Sequence, residues 1–132
     1  MNPAALSAGM RAPSRCLLVV DEDDLLRWSL REKFRAAGWD VVDASAGFAA
    51  LEAAEGRHVD LALVAVTLPD LDGAALGSKL AATHPRGRVV LMSSAEPPEA
   101  LPSSLEGPPV IEKPFDLDAM VAWASRDIAE TG

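Results

Sequence analysis

The chain has a single cysteine, Cys16. An internal disulfide is therefore excluded, which fits a reducing compartment, and Cys16 reads as an ordinary small core residue rather than a reactive thiol. Positive charge is scarce: 12 Lys and Arg stand against 20 Asp and Glu, a net charge of −8. That balance argues against a basic face for nucleic acid or for an anionic membrane surface. No apolar run approaches the roughly 18 residues of a membrane span. Residues 1–14 lack the charged start and apolar block of a secretory leader. A cytoplasmic protein without direct nucleic-acid or membrane partners is expected. No internal repeat is visible.

What is present points to one packed domain. Apolar residues make up 49% of 132 positions, enough for a single good core. Residues 1–14, with their Ala, Ser, Gly and Pro, read as a flexible N-terminal tail. Residues 15–132 read as the domain.

Arg15 to Val20 is a β-branched apolar run that ends in Asp21, Glu22, Asp23 and Asp24, and it reads as a buried strand. Leu26, Leu30, Phe34 and Ala37 then recur at helical spacing, with Asp23 or Asp24 as cap and Gly38 as stop. Trp39 to Ala44 is a second strand and Ala46 to Glu55 a second helix, ended by Gly56. Asp60 to Ala65 is a third strand, apolar almost throughout, and it runs into the loop Pro69-Asp70-Leu71-Asp72-Gly73. Ala74 to Thr83 is a third helix, and Arg88 to Met92 a fourth strand that leads to Ser93 and Ser94. Five of the ten prolines fall between Pro97 and Pro109, so the fourth helix is expected to be short or distorted. Val110 and Ile111 make a brief fifth strand. Asp116 caps a last helix with Leu117, Met120, Val121, Ala124 and Ile128 inward. Strands alternating with helices imply right-handed crossovers and a parallel sheet.

In such a sheet the carboxyl ends of the strands share one edge, and chemistry gathers there. Asp21 and Glu22 follow the first strand, Ala65 ends the third, Ser93 follows the fourth and Lys113 the fifth. Two carboxylates suit a hard cation such as Mg²⁺. A lysine and a hydroxyl suit a phosphoryl group. The last residue of the most buried strand, Ala65, has no functional group.

Several of these stretches resemble the response-regulator receiver (CheY-like) family. They are Val-Val-Asp-Glu-Asp at 19–23, the strand and loop from Asp60 through Pro69 to Asp72-Gly73, Met92-Ser93-Ser94-Ala95, and Lys113-Pro114-Phe115. Leu26-Arg27-Trp28-Ser29-Leu30-Arg31 is more weakly similar to receivers of NtrC-type transcriptional activators. The resemblance implies a three-layer (βα)5 doubly wound sheet of flavodoxin/CheY-like type, strand order 2-1-3-4-5. It implies a non-enzymatic phosphorelay module of a two-component system that meets a histidine kinase or a downstream effector, with a homodimer as one arrangement.

The family's phospho-acceptor Asp falls at Ala65. A methyl group neither attacks phosphorus nor ligates Mg²⁺. The family's aromatic switch residue falls at Val110. Together with the proline-broken fourth helix, these departures imply an atypical or pseudo-receiver that signals by protein–protein contact without aspartyl phosphate. Asp21, Glu22, Ala65, Ser93 and Lys113 would then be a remnant phosphorylation pocket, with Lys113 paired to Asp21 and Glu22. Asp21 and Glu22 are the candidate Mg²⁺ ligands, at an affinity reduced by the missing third carboxylate. No resident cofactor is expected.

Asp70 and Thr67 are candidate substitute acceptors, although loop carboxylates are more often solvated or turn-forming. Asp60 lies roughly 16 Å away at the far end of its strand. A flavodoxin-type flavin or nucleotide site is disfavoured, since Asp21 to Asp24 would repel phosphate. His58 and His84 read as surface residues. Arg27, Arg31 and Arg35 form a stripe that reads as a solvated face paired with Asp23, Asp24 or Glu32. Because the first helix is a partner-binding face in the family, Arg27, Trp28 and Arg31 are also docking candidates.

Overall fold

A computed structural model describes residues 14–94 and 108–128. Most of the expected tail and the segment expected to form the proline-broken fourth helix lie outside the described residues. The elements are β1 (Cys16–Val20), α1 (Asp24–Ala36), β2 (Asp40–Ala44), α2 (Gly47–Ala54), β3 (Leu61–Ala65), α3 (Gly73–Thr83), β4 (Arg88–Ser93), β5 (Val110–Glu112) and α4 (Leu117–Asp127).

All strand pairs are parallel and the order is 2-1-3-4-5. β1 and β3 are buried along their whole length. That is why both read as continuous apolar runs without alternation. Their side chains still alternate between faces. Leu17, Val19, Leu61 and Leu63 pack with Leu30 and Phe34 of α1 and Ala124 of α4. Leu18, Val20, Ala62 and Val64 pack with Ala50 and Ala54 of α2 and Leu76 and Leu80 of α3. The helices therefore cover both faces, two on each among the described elements.

Asp23 caps α1 by accepting the Leu25 and Leu26 N–H groups. Gly38 leaves that helix at φ 94°, a conformation open to glycine. Ala37, expected on the inner face, lies past the helix and is exposed. Aromatic packing closes this side. Trp39 meets Phe34 edge-on at 5.2 Å, and its Nε1 donates to Ser125 Oγ at 3.1 Å. Arg15 lies over the Trp39 ring and donates to the Ser125 carbonyl, tying the start of β1 to α4.

The amino edge of the sheet is pinned by Asp60. Its buried carboxylate accepts the Cys16 N–H at 2.8 Å and lies 2.9 Å from His58 Nε2. Cys16 is buried, and desolvation pushes its thiol above the ordinary value. Of the two histidines expected at the surface, His58 is exposed and His84 is not fully so. His58 meets Asp60, and His84 is half-buried with Nε2 on the Ala54 and Arg57 carbonyls.

Gly73 opens α3 against the end of β3. A Cβ there would lie 2.0 Å from the Ala65 carbonyl oxygen and 2.8 Å from the Val66 backbone. Gly73→Ala is therefore expected to lower unfolding free energy by about 3 kcal/mol or more. A urea titration followed by circular dichroism measures it.

Candidate functional site at the carboxyl edge

Asp21 continues β1, donating its N–H to the Ala44 carbonyl at 3.1 Å, and is only 2% exposed. Both carboxylate oxygens are engaged. Oδ1 accepts the Asp23 N–H at 2.9 Å, and Oδ2 accepts Lys113 Nζ at 2.5 Å. Lys113 follows β5 and its backbone N–H donates to the Ser93 carbonyl at 2.7 Å, which locks the lysine's loop to the end of β4. The Lys113–Pro114 peptide bond is cis. Asp21, Glu22, Ala65, Thr67, Ser93 and Lys113 line one cleft of about 410 Å³. The structure thus brings together residues that lie far apart in the chain.

Glu22 departs from expectation. It is exposed and forms no ion pair among the described residues, so Lys113 is paired with Asp21 but not with Glu22. Glu22 stands in the bend after β1 and lines the same cleft as Asp21, with its side chain exposed. As candidate ligands for Mg²⁺, which keeps several waters and takes one or two carboxylates, the cleft offers Asp21 and Glu22. Asp21 is already held by an ammonium and an amide, Glu22 faces solvent, and Ala65 offers a methyl. Val110 is half-buried on β5, opposite Leu91, and packs against the α2–α3 side of the core.

Asp70 lies outside the cleft and is neither merely solvated nor turn-forming. Its Oδ1 accepts the Gly47 N–H at 2.7 Å and its Oδ2 the Phe48 N–H at 3.0 Å. Ala46, the N-cap of α2, has no side chain to do this, so Asp70 caps that helix from another loop. Those two amides hold its carboxyl below the ordinary value. Asp72 caps α3 through the Ala75 N–H.

In the arginine stripe Arg27 pairs with Asp24, as expected, and Arg35 is exposed, but Arg27 and Arg31 have a further partner. Arg27 Nε and Arg31 Nη1 converge on Asp43 Oδ2 at 3.1 and 3.0 Å, and Arg27 also reaches Asp24 and the Asp21 carbonyl. Asp43, on β2, was missed by sequence reasoning. Two arginines one helical turn apart, opposite a strand carboxylate, are the signal that points to it. With Arg27 and Arg31 held on Asp43, Trp28 stands out at 52% exposure and Leu25 at 70%. Leu25, Leu26 and Ser29 face Pro114, Phe115 and Leu117 across a groove of about 470 Å³. That groove was not anticipated either.

Residues 17–125 match the family described as Response regulator receiver domain. The chain belongs to this family. It is a receiver domain of two-component signalling. It is 31% identical over 113 residues to the DNA-binding transcriptional regulator NtrC of Escherichia coli K12, covering 84% of this chain and 24% of NtrC. The chain thus spans about a quarter of that relative's length. Solved receiver domains show the same fold. A CheY-like receiver domain protein from Methanospirillum hungatei superposes with a TM-score of 0.73 at 22% identity, over 86% of this chain and 92% of that one. The receiver domain of an HD domain-containing protein from Pseudomonas fluorescens gives 0.76 at 19% identity, over 86% and 93%. Among the described residues, no helix is long and apolar enough to cross a membrane.

Two outcomes are expected from this geometry. Lys113→Met leaves the Asp21 carboxylate buried without its cation and costs about 3 kcal/mol. Adding Asp21→Asn, which keeps an acceptor for the Asp23 N–H, restores most of that loss in urea unfolding. At neutral pH, Asp70→Asn unfolds at a lower temperature than the parent. The folded carboxyl of Asp70 titrates below the ordinary 3.8, so its contribution is full above that value and is lost as pH falls through the lower, folded one. The two melting curves therefore converge in strong acid.

Proposed function

We propose that this receiver works without aspartyl phosphate and signals through contact with other proteins. The observation that carries the reading is Ala65, which ends β3 inside the cleft where the family's acceptor carboxylate would stand. A phosphoryl acceptor needs a nucleophilic oxygen. Around the methyl, Asp21 and Lys113 neutralise each other. Asp21, Glu22, Ala65, Ser93 and Lys113 are read as a remnant pocket with structural duties, and Val110 as a switch position without its aromatic. The alternative acceptor, Asp70, is disfavoured, because both its oxygens are bound to the start of α2 and it does not line the cleft.

The contact surface we favour is the groove beside α1, lined by Leu25, with Trp28 exposed on the same helix. Arg27 and Arg31 orient that helix through Asp43. Its partners are a histidine kinase or a downstream effector, met in the cytoplasm, and nucleic acid is not contacted directly. The receiver unit starts at residue 15, with residues 1–14 as a tail.

Incubation with a small phosphodonor and Mg²⁺, followed by intact mass measurement, tests the central point. No acid-labile gain of about 80 Da is expected for the parent chain. The Ala65→Asp variant, which returns a carboxylate to the cleft, acts as the responsive control. An adduct on an Asp of the parent chain overturns the reading, and peptide mapping then shows whether Asp70 carries it.

A further inference from the structure

The two ends of the sheet expose different side chains. At the amino edge, the ends of α2 and α3 and the loops after them enclose a cleft of about 760 Å³. Leu51, Ala54 and Leu80 form its apolar floor, and two cations, Arg57 and Arg86, stand at its rim against one acid, Glu55. Four cations elsewhere are held by acids, Arg27 by Asp24 and Asp43, Arg31 by Asp43, Lys33 by Asp118 and Lys113 by Asp21, whereas Arg15, Arg35, Lys79 and Arg88, like Arg86, have no ion pair among the described residues. Arg86 is exposed and has no ion pair among the described residues. In a chain of net charge −8, an unpaired cation beside an open apolar floor is a place for an acidic, partly apolar ligand. Helix dipoles account for part of this rim, since α2 and α3 end here. His84 already serves that purpose through the Ala54 and Arg57 carbonyls, whereas Arg86 makes no such bond.

The opposite edge of the same molecule presents that ligand. Glu22, Asp23 and Asp24 are exposed in succession and are followed by Leu25, the most open large apolar residue among those described. Glu22 to Leu25 follow the end of β1, whereas Arg57 and Arg86 precede β3 and β4. The strands are parallel, so the two surfaces lie at opposite ends of the molecule. We infer that the occupant of the lower cleft is the acidic edge of a second copy of this chain. Leu25 enters the apolar floor, and Glu22 and its neighbours face Arg86 and Arg57. Such a contact joins unlike surfaces, so it builds open head-to-tail chains in place of a closed twofold dimer. The inference needs only these two edges and is independent of whether Ala65 prevents phosphorylation.

Sedimentation velocity from about 10 μM to about 1 mM protein tests it. In about 0.05 M salt the weight-average sedimentation coefficient rises with concentration, and in about 0.5 M salt it returns toward the monomer value. The variant Glu22→Gln with Leu25→Ser has an inactive acidic edge, and Arg86→Glu has an inactive cleft. Each alone stays monomeric, while an equal mixture forms dimers and nothing larger, because one working edge meets one working cleft. All three chains should share the parent's circular dichroism spectrum, since the altered side chains are exposed. A parent chain that stays monomeric throughout overturns the inference. So does association that survives both variants, or a mixture that fails to pair.

Discussion

A carboxylate buried to 2% exposure has to be neutralised, and the carboxyl edge of this receiver is organised around meeting that demand at Asp21. Left unpaired, such a charge costs several kcal/mol. The counter-charge comes from Lys113, 92 residues further along the chain. Reaching Asp21 draws the loop after β5 over the ends of β1 and β4, where the Lys113 N–H meets the Ser93 carbonyl. Arg27 adds a bond to the Asp21 carbonyl and so connects α1 to the same point. The network closes on itself. Among the described residues no buried side-chain nitrogen or oxygen lacks a hydrogen-bond partner. The buried polar atoms of the cleft are thus satisfied by the protein's own groups.

The loop after β3 is held in the same self-sufficient way. Gly73 lets α3 begin against the Ala65 carbonyl, Asp72 caps that helix, and Asp70 reaches across to cap α2. Each carboxylate in this loop is committed to backbone amides. A free nucleophile is weakly held, and although Asp70 and Asp72 are exposed, each is bound to the start of a helix. This supports the proposed phosphorylation-independent reading from a second direction: the loop's acids are employed in joining helices.

Much of this was legible in the sequence because parallel strands are buried on both faces and so read as apolar runs. Asp23 and Asp116 announce their helices because an N-cap acts locally, within three residues. What stayed hidden is non-local. Asp43 is one acid among 20 until β2 pairs with β1 and sets it beside Arg27 and Arg31. Asp70 looks like an ordinary turn residue, although the missing cap at Ala46 is a trace of its duty, since helix donors must be satisfied somewhere. Glu22 was grouped with Asp21 by adjacency, and the two share the cleft but not the burial: Lys113 pairs with the buried Asp21 and leaves Glu22 exposed. The groove beside α1 depends on where Phe115 and Leu117 come to rest, and no spacing within α1 reveals that.

Leu25 is the residue at which the two proposed surfaces meet. It lines the groove beside α1 and it follows the acidic edge. A partner seated in that groove and a second copy of the chain would compete for the same side chain. Binding that competes is linked: each ligand weakens the other by the same factor. Under both proposals a partner taking the groove would dissolve head-to-tail chains by mass action, and chains would hold the groove closed until partner concentration rises. That is a switch with two states and a threshold, driven by concentration. It needs no carboxylate at residue 65 and no aromatic at residue 110.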